Sequence, residues 1–119
     1  MSRILVIEDN ALNQKLLVRF LSALGYEIAV AATTSEADAV VDAEAPTLVL
    51  LDFSLPGEDG LTWLRRRRAR GDIWPAVAVT AHALRGDREA ALAAGCDGYL
   101  AKPIALDELQ ALVARFALP

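Results

Sequence analysis

Short apolar runs, separated by longer segments with helical spacing, organise this chain. Runs of four consecutive apolar residues are typical of strands covered on both faces, and such strands belong to parallel sheets. The predicted strands are residues 3–7, 27–31, 47–51, 76–79 and 98–101. The predicted helices are residues 11–24, 35–44, 61–70, from 86 or 87 to 95, and 106–116. Because each parallel crossover is right-handed and needs a helix, this alternation predicts a doubly wound five-stranded parallel α/β sheet with five helices.

Turn-forming residues mark the ends of these elements. Gly25 follows the first predicted helix and is expected to end it as the C′ residue. Pro46 ends the second helix, and residues 56–60 form a turn cluster before the third. In the first helix, large apolar residues recur at every fourth position, and we expect this stripe to face the core. The stripe consists of Leu12, Leu16, Phe20 and Leu24.

Composition indicates one packed domain spanning residues 1–119. The chain is 55% hydrophobic and 24% charged, which favours a globular core over disorder. No apolar stretch approaches the ~20 residues that span a bilayer, and no signal peptide opens the chain. Its net charge of −4 disfavours wholesale attraction to nucleic acid or an anionic membrane. We therefore expect a soluble cytoplasmic protein, in which the single cysteine, Cys96, is a buried hydrophobe.

Reactive polar side chains follow four of the five predicted strands. Glu8 and Asp9 follow the first strand, Asp52 the third, Thr80 the fourth and Lys102 the fifth. Ligands of open parallel sheets bind beyond the carboxyl ends of the strands, so these groups are expected to gather at one edge. Three clustered carboxylates repel one another unless a cation intervenes. Mg²⁺ suits a site of few carboxylates that leaves room for water and phosphate.

The whole chain resembles the receiver domain of bacterial two-component response regulators. The resemblance is carried by motifs in the family's order and spacing: Glu8-Asp9-Asn10, residues 51–57, Asp59-Gly60, Val79-Thr80-Ala81 and residues 98–103. Among receivers, the chain looks most similar to stand-alone cell-cycle-type regulators and to receivers of hybrid histidine kinases. The resemblance implies a flavodoxin-like fold with strand order 2-1-3-4-5.

The resemblance also implies phosphorelay signal transduction. Asp52 would accept a phosphoryl group from a histidine kinase or a histidine phosphotransferase. Thr80 would offer a hydroxyl donor and Lys102 an ammonium to the phosphoryl oxygens. The domain would thus assist its own phosphorylation and dephosphorylation without being an enzyme. The bond between Lys102 and Pro103 is expected to be cis.

A magnesium ion is the implied cofactor. By resemblance, Asp9, Asp52 and the main-chain carbonyl of Ser54 would bind Mg²⁺ directly, and Glu8 would act mostly through water. The position of Glu8 is more often aspartate in the family, and its extra methylene could bring the carboxylate closer to the metal.

Switching and docking would use different faces. Thr80 would move toward the phosphate and Tyr99 would respond, altering the face of helix 4, strand 5 and helix 5 that meets an unknown downstream protein. The phosphohistidine donor would dock beside the start of the first helix, around Asn13 and Gln14, while Leu12 joins the core stripe. We expect a monomer or a weak phosphorylation-dependent dimer. The chain is either a complete regulator or a receiver from a larger kinase, and Met1 slightly favours the former.

Three other functions compete with this interpretation. A haloacid-dehalogenase-like phosphatase wants a second aspartate where Ser54 stands, and a cap domain for which the chain is too short. A flavodoxin-like cofactor carrier wants a phosphate loop after the first strand, where Glu8 and Asp9 would repel a phosphate. A pseudo-receiver used only for docking would not need the five functional positions.

Structural interpretations stand beside the functional ones. Asp9 or Asn10 can cap the first helix, Asp52 can be a turn residue, Thr80 a strand residue and Tyr99 part of the core. The arginines at 65–68 and 70 sweep around a whole helix and are interpreted as solvated surface. His82 is interpreted as a rim residue controlling water access. The two tryptophans, Trp63 and Trp74, are interpreted as packing residues.

Overall fold

Five strands and five helices alternate along the chain. The computed structural model describes residues 2–81 and 86–117, so His82 lies outside the described residues. The strands are β1 (Arg3–Ile7), β2 (Glu27–Ala31), β3 (Leu48–Asp52), β4 (Ala76–Thr80) and β5 (Gly98–Ala101). The helices are α1 (Ala11–Ala23), α2 (Thr34–Ala43), α3 (Gly60–Ala69), α4 (Asp87–Ala94) and α5 (Leu106–Phe116). Every predicted element is present, with small shifts at the ends; β3, for example, includes Asp52.

All neighbouring strands are parallel and follow the order β2-β1-β3-β4-β5, which confirms the implied topology. The register places Ile7 opposite Leu51 and Thr80 opposite Ala101. The carboxyl ends of the strands therefore reach the same edge of the sheet. The loops after β1, β3, β4 and β5 are brought together there.

Two apolar layers cover the two faces of the sheet. On one face, Leu5 and Leu51 pack with α2, α3 and α4, and on the other, Ile4 and Leu50 pack with α1 and α5. Alternate residues of one strand thus enter different cores, as a strand buried on both faces requires. Because β1 and β3 are buried on both faces, they form a rigid support for the loops that follow them.

The predicted core stripe of α1 is wrong in its first half. Leu12 is 75% exposed and Leu16 is 52% exposed, whereas Leu17 and Leu21 are buried. A spacing of four residues rotates about 40° per step around an α-helix, so the stripe drifts off the core face along its length. Only its end, at Phe20 and Leu24, packs against the core. Gly25 has φ 99° and ends the helix as predicted.

The interpretation of the arginine run as solvated surface is also wrong for Arg67, which is 2% exposed. Its guanidinium pairs with Asp38 at 3.3 Å, Asp42 at 2.9 Å and Asp72 at 2.6 Å. Arg66 adds ion pairs of 2.9 Å each to Asp38 and Glu58. The carboxylates of α2, on one face because they are four residues apart, draw the guanidinium groups inward.

Aromatic packing continues this network into the core. Trp63 and Trp74 stack with ring centroids 5.5 Å apart, which confirms that they are packing residues. The Nε1 of Trp63 donates to Asp38 at 2.8 Å, and the guanidinium of Arg68 lies 4.8 Å from the centre of the Trp74 ring. Cys96 is buried as predicted, and desolvation raises its pKa to about 12.

Among the described residues, no helix combines the length and apolar character needed to cross a membrane.

Replacement of Arg67 by alanine should destabilise the fold by about 3 kcal/mol, because it removes a buried cation from the half-buried carboxylates of Asp38 and Asp72. Urea denaturation at pH 7 measures this. The matched control is Arg65→Ala on the exposed face of the same helix, for which we expect a change within about 0.5 kcal/mol.

The difference in unfolding free energy between the wild type and Arg67→Ala should depend on pH. Burial raises the pKa of Asp38, but hydrogen bonds from Arg66 and Trp63 and the charges of Arg66 and Arg67 outweigh it, so the pKa lies below its usual value. The stabilisation is therefore present above the ordinary carboxyl pKa and is lost as pH falls through the lowered one. Equal losses in the Arg67 and Arg65 variants would contradict a structural role for the network.

Candidate functional site

The candidate site lies at the carboxyl edge of the sheet, where four strands end. Glu8 and Asp9 follow β1, Asp52 is the last residue of β3, Thr80 is the last residue of β4, and Lys102 follows β5. The structure thus gathers the predicted reactive groups along one edge, as the parallel topology requires.

Three carboxylates form the centre of the site. One oxygen from each of Glu8, Asp9 and Asp52 lies within 4.8 Å of the other two. Glu8 is 3% exposed and Asp52 is 6% exposed, while Asp9 is open to solvent. Two buried carboxylates beside a third one demand a nearby cation, because desolvation and repulsion both disfavour their charge.

Lys102 is that cation. Its Nζ lies 2.9 Å from Asp52 Oδ2 and 3.0 Å from Glu8 Oε1. Burial lowers the pKa of Lys102, but the hydrogen bonds to Asp52 and Glu8 and their charges outweigh this, so its pKa lies above the usual value. The side chain remains an ammonium at neutral pH. The peptide bond to Pro103 is cis, as the resemblance implies.

The main chain also fixes Asp52. Its Oδ1 accepts a hydrogen bond of 3.0 Å from the backbone N–H of Ser54. Gly60, the first residue of α3, lies so close that a Cβ there would collide with the carbonyl oxygen of Asp52. Asp59 caps the same helix by accepting from Thr62 N at 2.9 Å. The Asp59-Gly60 motif therefore sets how closely α3 approaches the end of β3.

Two amide side chains contact Glu8, which was not predicted from the sequence. Asn13 Nδ2 donates to Glu8 Oε1 at 3.0 Å, and Gln14 Nε2 donates to the main-chain carbonyl of Glu8. Asn10 caps α1 by accepting from Asn13 N at 3.0 Å. Gln14, predicted to belong to a docking surface, thus also supports the loop after β1. Amide residues one turn after an acidic pair were the available signal.

Thr80 and Tyr99 lie on neighbouring strands, with Thr80 at the end of β4 and Tyr99 opposite Ala78, two residues before that end. Thr80 is 1% exposed, and its main-chain carbonyl accepts from Lys102 N at 2.7 Å. Tyr99 is half-buried and meets Phe53 edge-on, with ring centroids 6.3 Å apart. Burial raises the pKa of Tyr99, and the charges of Asp87 and Glu89 add to the effect.

An apolar groove of about 440 Å³ is lined in part by Lys102, which contacts Glu8 and Asp52. It runs between α1 and the segment that joins β5 to α5. Its lining includes Asn13, Leu16, Ala81, Pro103, Ile104 and Leu106. Of the two leucines of α1 that were wrongly predicted to be core, Leu16 lines this groove, and Leu12 is exposed one turn earlier on the same helix.

Comparison with known proteins identifies the family. The sequence model for the response regulator receiver domain matches residues 4–114. The chain is 43% identical over 111 residues to the transcriptional regulatory protein PmrA of Pectobacterium parmentieri, covering 93% of this chain and 50% of PmrA. It is 37% identical over 114 residues to the sensor histidine kinase RcsC of Salmonella typhi, covering 96% of this chain and 12% of RcsC.

Solved structures agree with this match. The receiver domain of the sensor histidine kinase PA1611 from Pseudomonas aeruginosa PAO1 superposes with a TM-score of 0.88 at 38% identity, covering 97% of this chain and 96% of that one. That structure has a magnesium ion coordinated in its active-site cleft. A CheY-like receiver from Methanospirillum hungatei JF-1 has a TM-score of 0.89 at 28% identity, covering 97% of this chain and 92% of that one.

The chain belongs to the response regulator receiver domain family, and its function is phosphorelay signalling in a two-component system. The family interpretation and the flavodoxin-like fold are confirmed. Receiver domains interact with histidine kinases or phosphotransferases. The chain spans half the length of PmrA and a small part of RcsC, so neither relative's whole activity transfers to it.

Proposed function

We propose that Asp52 accepts a phosphoryl group from the phosphohistidine of a kinase or phosphotransferase in the cytoplasm. The ammonium of Lys102 supports this proposal most strongly, because it contacts Asp52 Oδ2 and Glu8 Oε1 while the carboxylate of Asp9 lies exposed beside them. Asp52 thus combines a nucleophilic oxygen with a fixed neighbouring cation, and it lies beside the solvent-exposed carboxylate of Asp9.

The donor set fits a hard divalent cation. The oxygens of Glu8, Asp9 and Asp52 cluster within reach of one ion, and carboxylates are the ligands that Mg²⁺ prefers. Asp9, Asp52 and the main-chain carbonyl of Ser54 would hold Mg²⁺, with Glu8 acting through water. When bound, the ion would neutralise charge on the phosphoryl oxygens and on the carboxylates. The magnesium in the PA1611 receiver supports this assignment.

In the transfer, an oxygen of Asp52 attacks phosphorus in line with the P–N bond of the phosphohistidine. A P–O bond forms, the P–N bond breaks, and its electron pair stays on the imidazole nitrogen. The ammonium of Lys102 exchanges its bond to Asp52 Oδ2 for one to a phosphoryl oxygen. The hydroxyl of Thr80 donates to another phosphoryl oxygen. The ammonium and the hydroxyl thus donate hydrogen bonds that water would otherwise donate to the phosphoryl oxygens.

The output would follow from the movement of Thr80 toward the phosphate. Tyr99 lies on the adjacent strand and packs against Phe53, so the space beside Thr80 and the ring position are linked through β4 and β5. The face formed by α4, β5 and α5 would then meet the downstream protein, in a monomer or a weak phosphorylation-dependent dimer.

The donor would dock on α1 and the groove beside it. A phosphohistidine must reach Asp52, and the exposed side chains Leu12 and Leu16 with the groove provide an apolar surface next to the carboxylates. Exposed leucines in this arrangement fit the apolar face of a partner helix. Asn13 lines the same groove, whereas Gln14 lies on another side of α1; both also donate hydrogen bonds to Glu8.

Acetyl phosphate with Mg²⁺ should add one phosphoryl group to the protein, and none to the Asp52→Asn variant, because the amide is not a nucleophile. Intact mass spectrometry measures this. Equal labelling of wild type and variant would show that Asp52 is not the acceptor. No labelling of either would favour the pseudo-receiver alternative.

Removal of Asp9 should weaken Mg²⁺ binding at least about tenfold, since a direct ligand is lost, while Glu8→Gln should weaken it less. Isothermal titration calorimetry of the unphosphorylated protein gives both affinities. Mg²⁺ should also raise Tm, because it binds the folded state preferentially. An unchanged affinity in Asp9→Ala would overturn the ligand assignment.

Replacement of Leu16 by glutamate should slow phosphotransfer from a histidine donor by about tenfold or more, because a charge replaces an apolar contact of the docking surface. Labelling by acetyl phosphate, which needs no docking surface, should stay nearly unchanged. Leu92→Glu on α4, also at an exposed leucine, is the matched control. A parallel loss of both labelling reactions in Leu16→Glu would place the residue in the active site and reject the docking role.

A further inference from the structure

Asn13 is in position to control Glu8. Its backbone N–H is taken by the cap residue Asn10, at 3.0 Å, which leaves the side-chain amide free to serve another acceptor. That amide donates to Glu8 Oε1 at 3.0 Å. The donor therefore comes from the rigid first turn of α1, and its acceptor is a carboxylate that is almost fully buried.

The two oxygens of Glu8 are held very differently. Oε1 accepts from both Asn13 Nδ2 and Lys102 Nζ, each at 3.0 Å. Among the described residues, Oε2 has one long contact of 3.4 Å, from the backbone N–H of Asn10. Two donors thus fix the position of one oxygen. One oxygen of Glu8 also lies within 4.8 Å of an oxygen of Asp9 and an oxygen of Asp52.

The length of the glutamate makes this control necessary. Glu8 has one more rotatable bond than an aspartate, so it reaches more orientations around the loop after β1. Lys102 alone does not restrain it, because the same ammonium also serves Asp52. The amide of Asn13 supplies the second fixed point.

We infer that Asn13 is a positioning residue: its side-chain amide holds the Glu8 carboxylate against Lys102 and within reach of the magnesium site. This rests on the metal site proposed above. Partners of this kind, one bond removed from a metal site, change metal affinity about 10- to 100-fold when they are removed. Because Asn13 also lines the groove, it connects the docking face with the acidic cluster.

The test is a double-mutant cycle on Mg²⁺ affinity, measured by calorimetry without any phosphoryl donor. Asn13→Leu has nearly the same size but no donor, and it keeps the backbone N–H that Asn10 caps. We expect it to weaken Mg²⁺ binding measurably in the wild-type background, by no more than Glu8→Gln does, because Asn13 acts only through the Glu8 carboxylate. In the Glu8→Gln background the same change should alter the affinity less than about twofold, since the carboxylate through which Asn13 acts is gone.

Two further measurements separate positioning from a general structural role. Asn13→Gln, which retains a donor, should recover part of the lost affinity. Gln14→Leu removes the neighbouring amide, whose acceptor is the main chain of Glu8, so its effect on affinity should persist in the Glu8→Gln background. Tm measured with EDTA gives the metal-free stability of each variant.

The outcomes distinguish this inference from the proposed function. Failure of the wild type to bind Mg²⁺, or equal binding by wild type and Asp9→Ala, would reject the metal site itself. If Asp9→Ala loses affinity while Asn13→Leu retains it, only the positioning role is overturned. The same holds if Asn13→Leu weakens binding equally with Glu8 and with Gln at position 8.

Discussion

The ammonium of Lys102 is the contact on which the site depends. It lies within 3.0 Å of two carboxylates that are almost fully buried, and without it their charges would be both desolvated and mutually repelled. Removing one member of such a buried set costs far more than the set contributes as a whole. The same cation is positioned for the phosphoryl oxygens that would bind to Asp52. The stability of the unphosphorylated site and its ability to accept a phosphoryl group therefore both depend on Lys102.

The parallel sheet supplies the geometry that this contact needs. The register aligns the ends of β1, β3, β4 and β5, so residues far apart in sequence arrive at one edge: 94 positions separate Glu8 from Lys102. Away from this edge, α3 is tied to α2 by Arg66 and Arg67, and Gly60 lets its first turn press against β3. The packing of α3 thus supports the loop after β3, while Asp9 and the groove beside α1 stay accessible to a partner.

Sequence patterns predicted what depends on local periodicity and strand ends, and missed what depends on pairing between elements. The apolar runs predicted every strand. The polar residues that follow these runs predicted that Glu8, Asp52 and Lys102 lie close together. The burial of Arg67 was not predicted because two of its partners lie on another helix. The exposure of Leu12 was not predicted because residues spaced four apart do not stay on one face along an α-helix. The bond between Asn13 and Glu8 depends on side-chain orientations that no pattern of residue types encodes.

The most direct test of the central role of Lys102 is a crystal structure of the protein with Mg²⁺ and beryllium trifluoride, a mimic of the phosphoryl group. We predict that beryllium bonds to a carboxylate oxygen of Asp52, and that Lys102 Nζ leaves Asp52 Oδ2 for a fluorine while retaining Glu8. A structure in which beryllium trifluoride occupies Asp52 but Lys102 makes no contact with it would contradict the account.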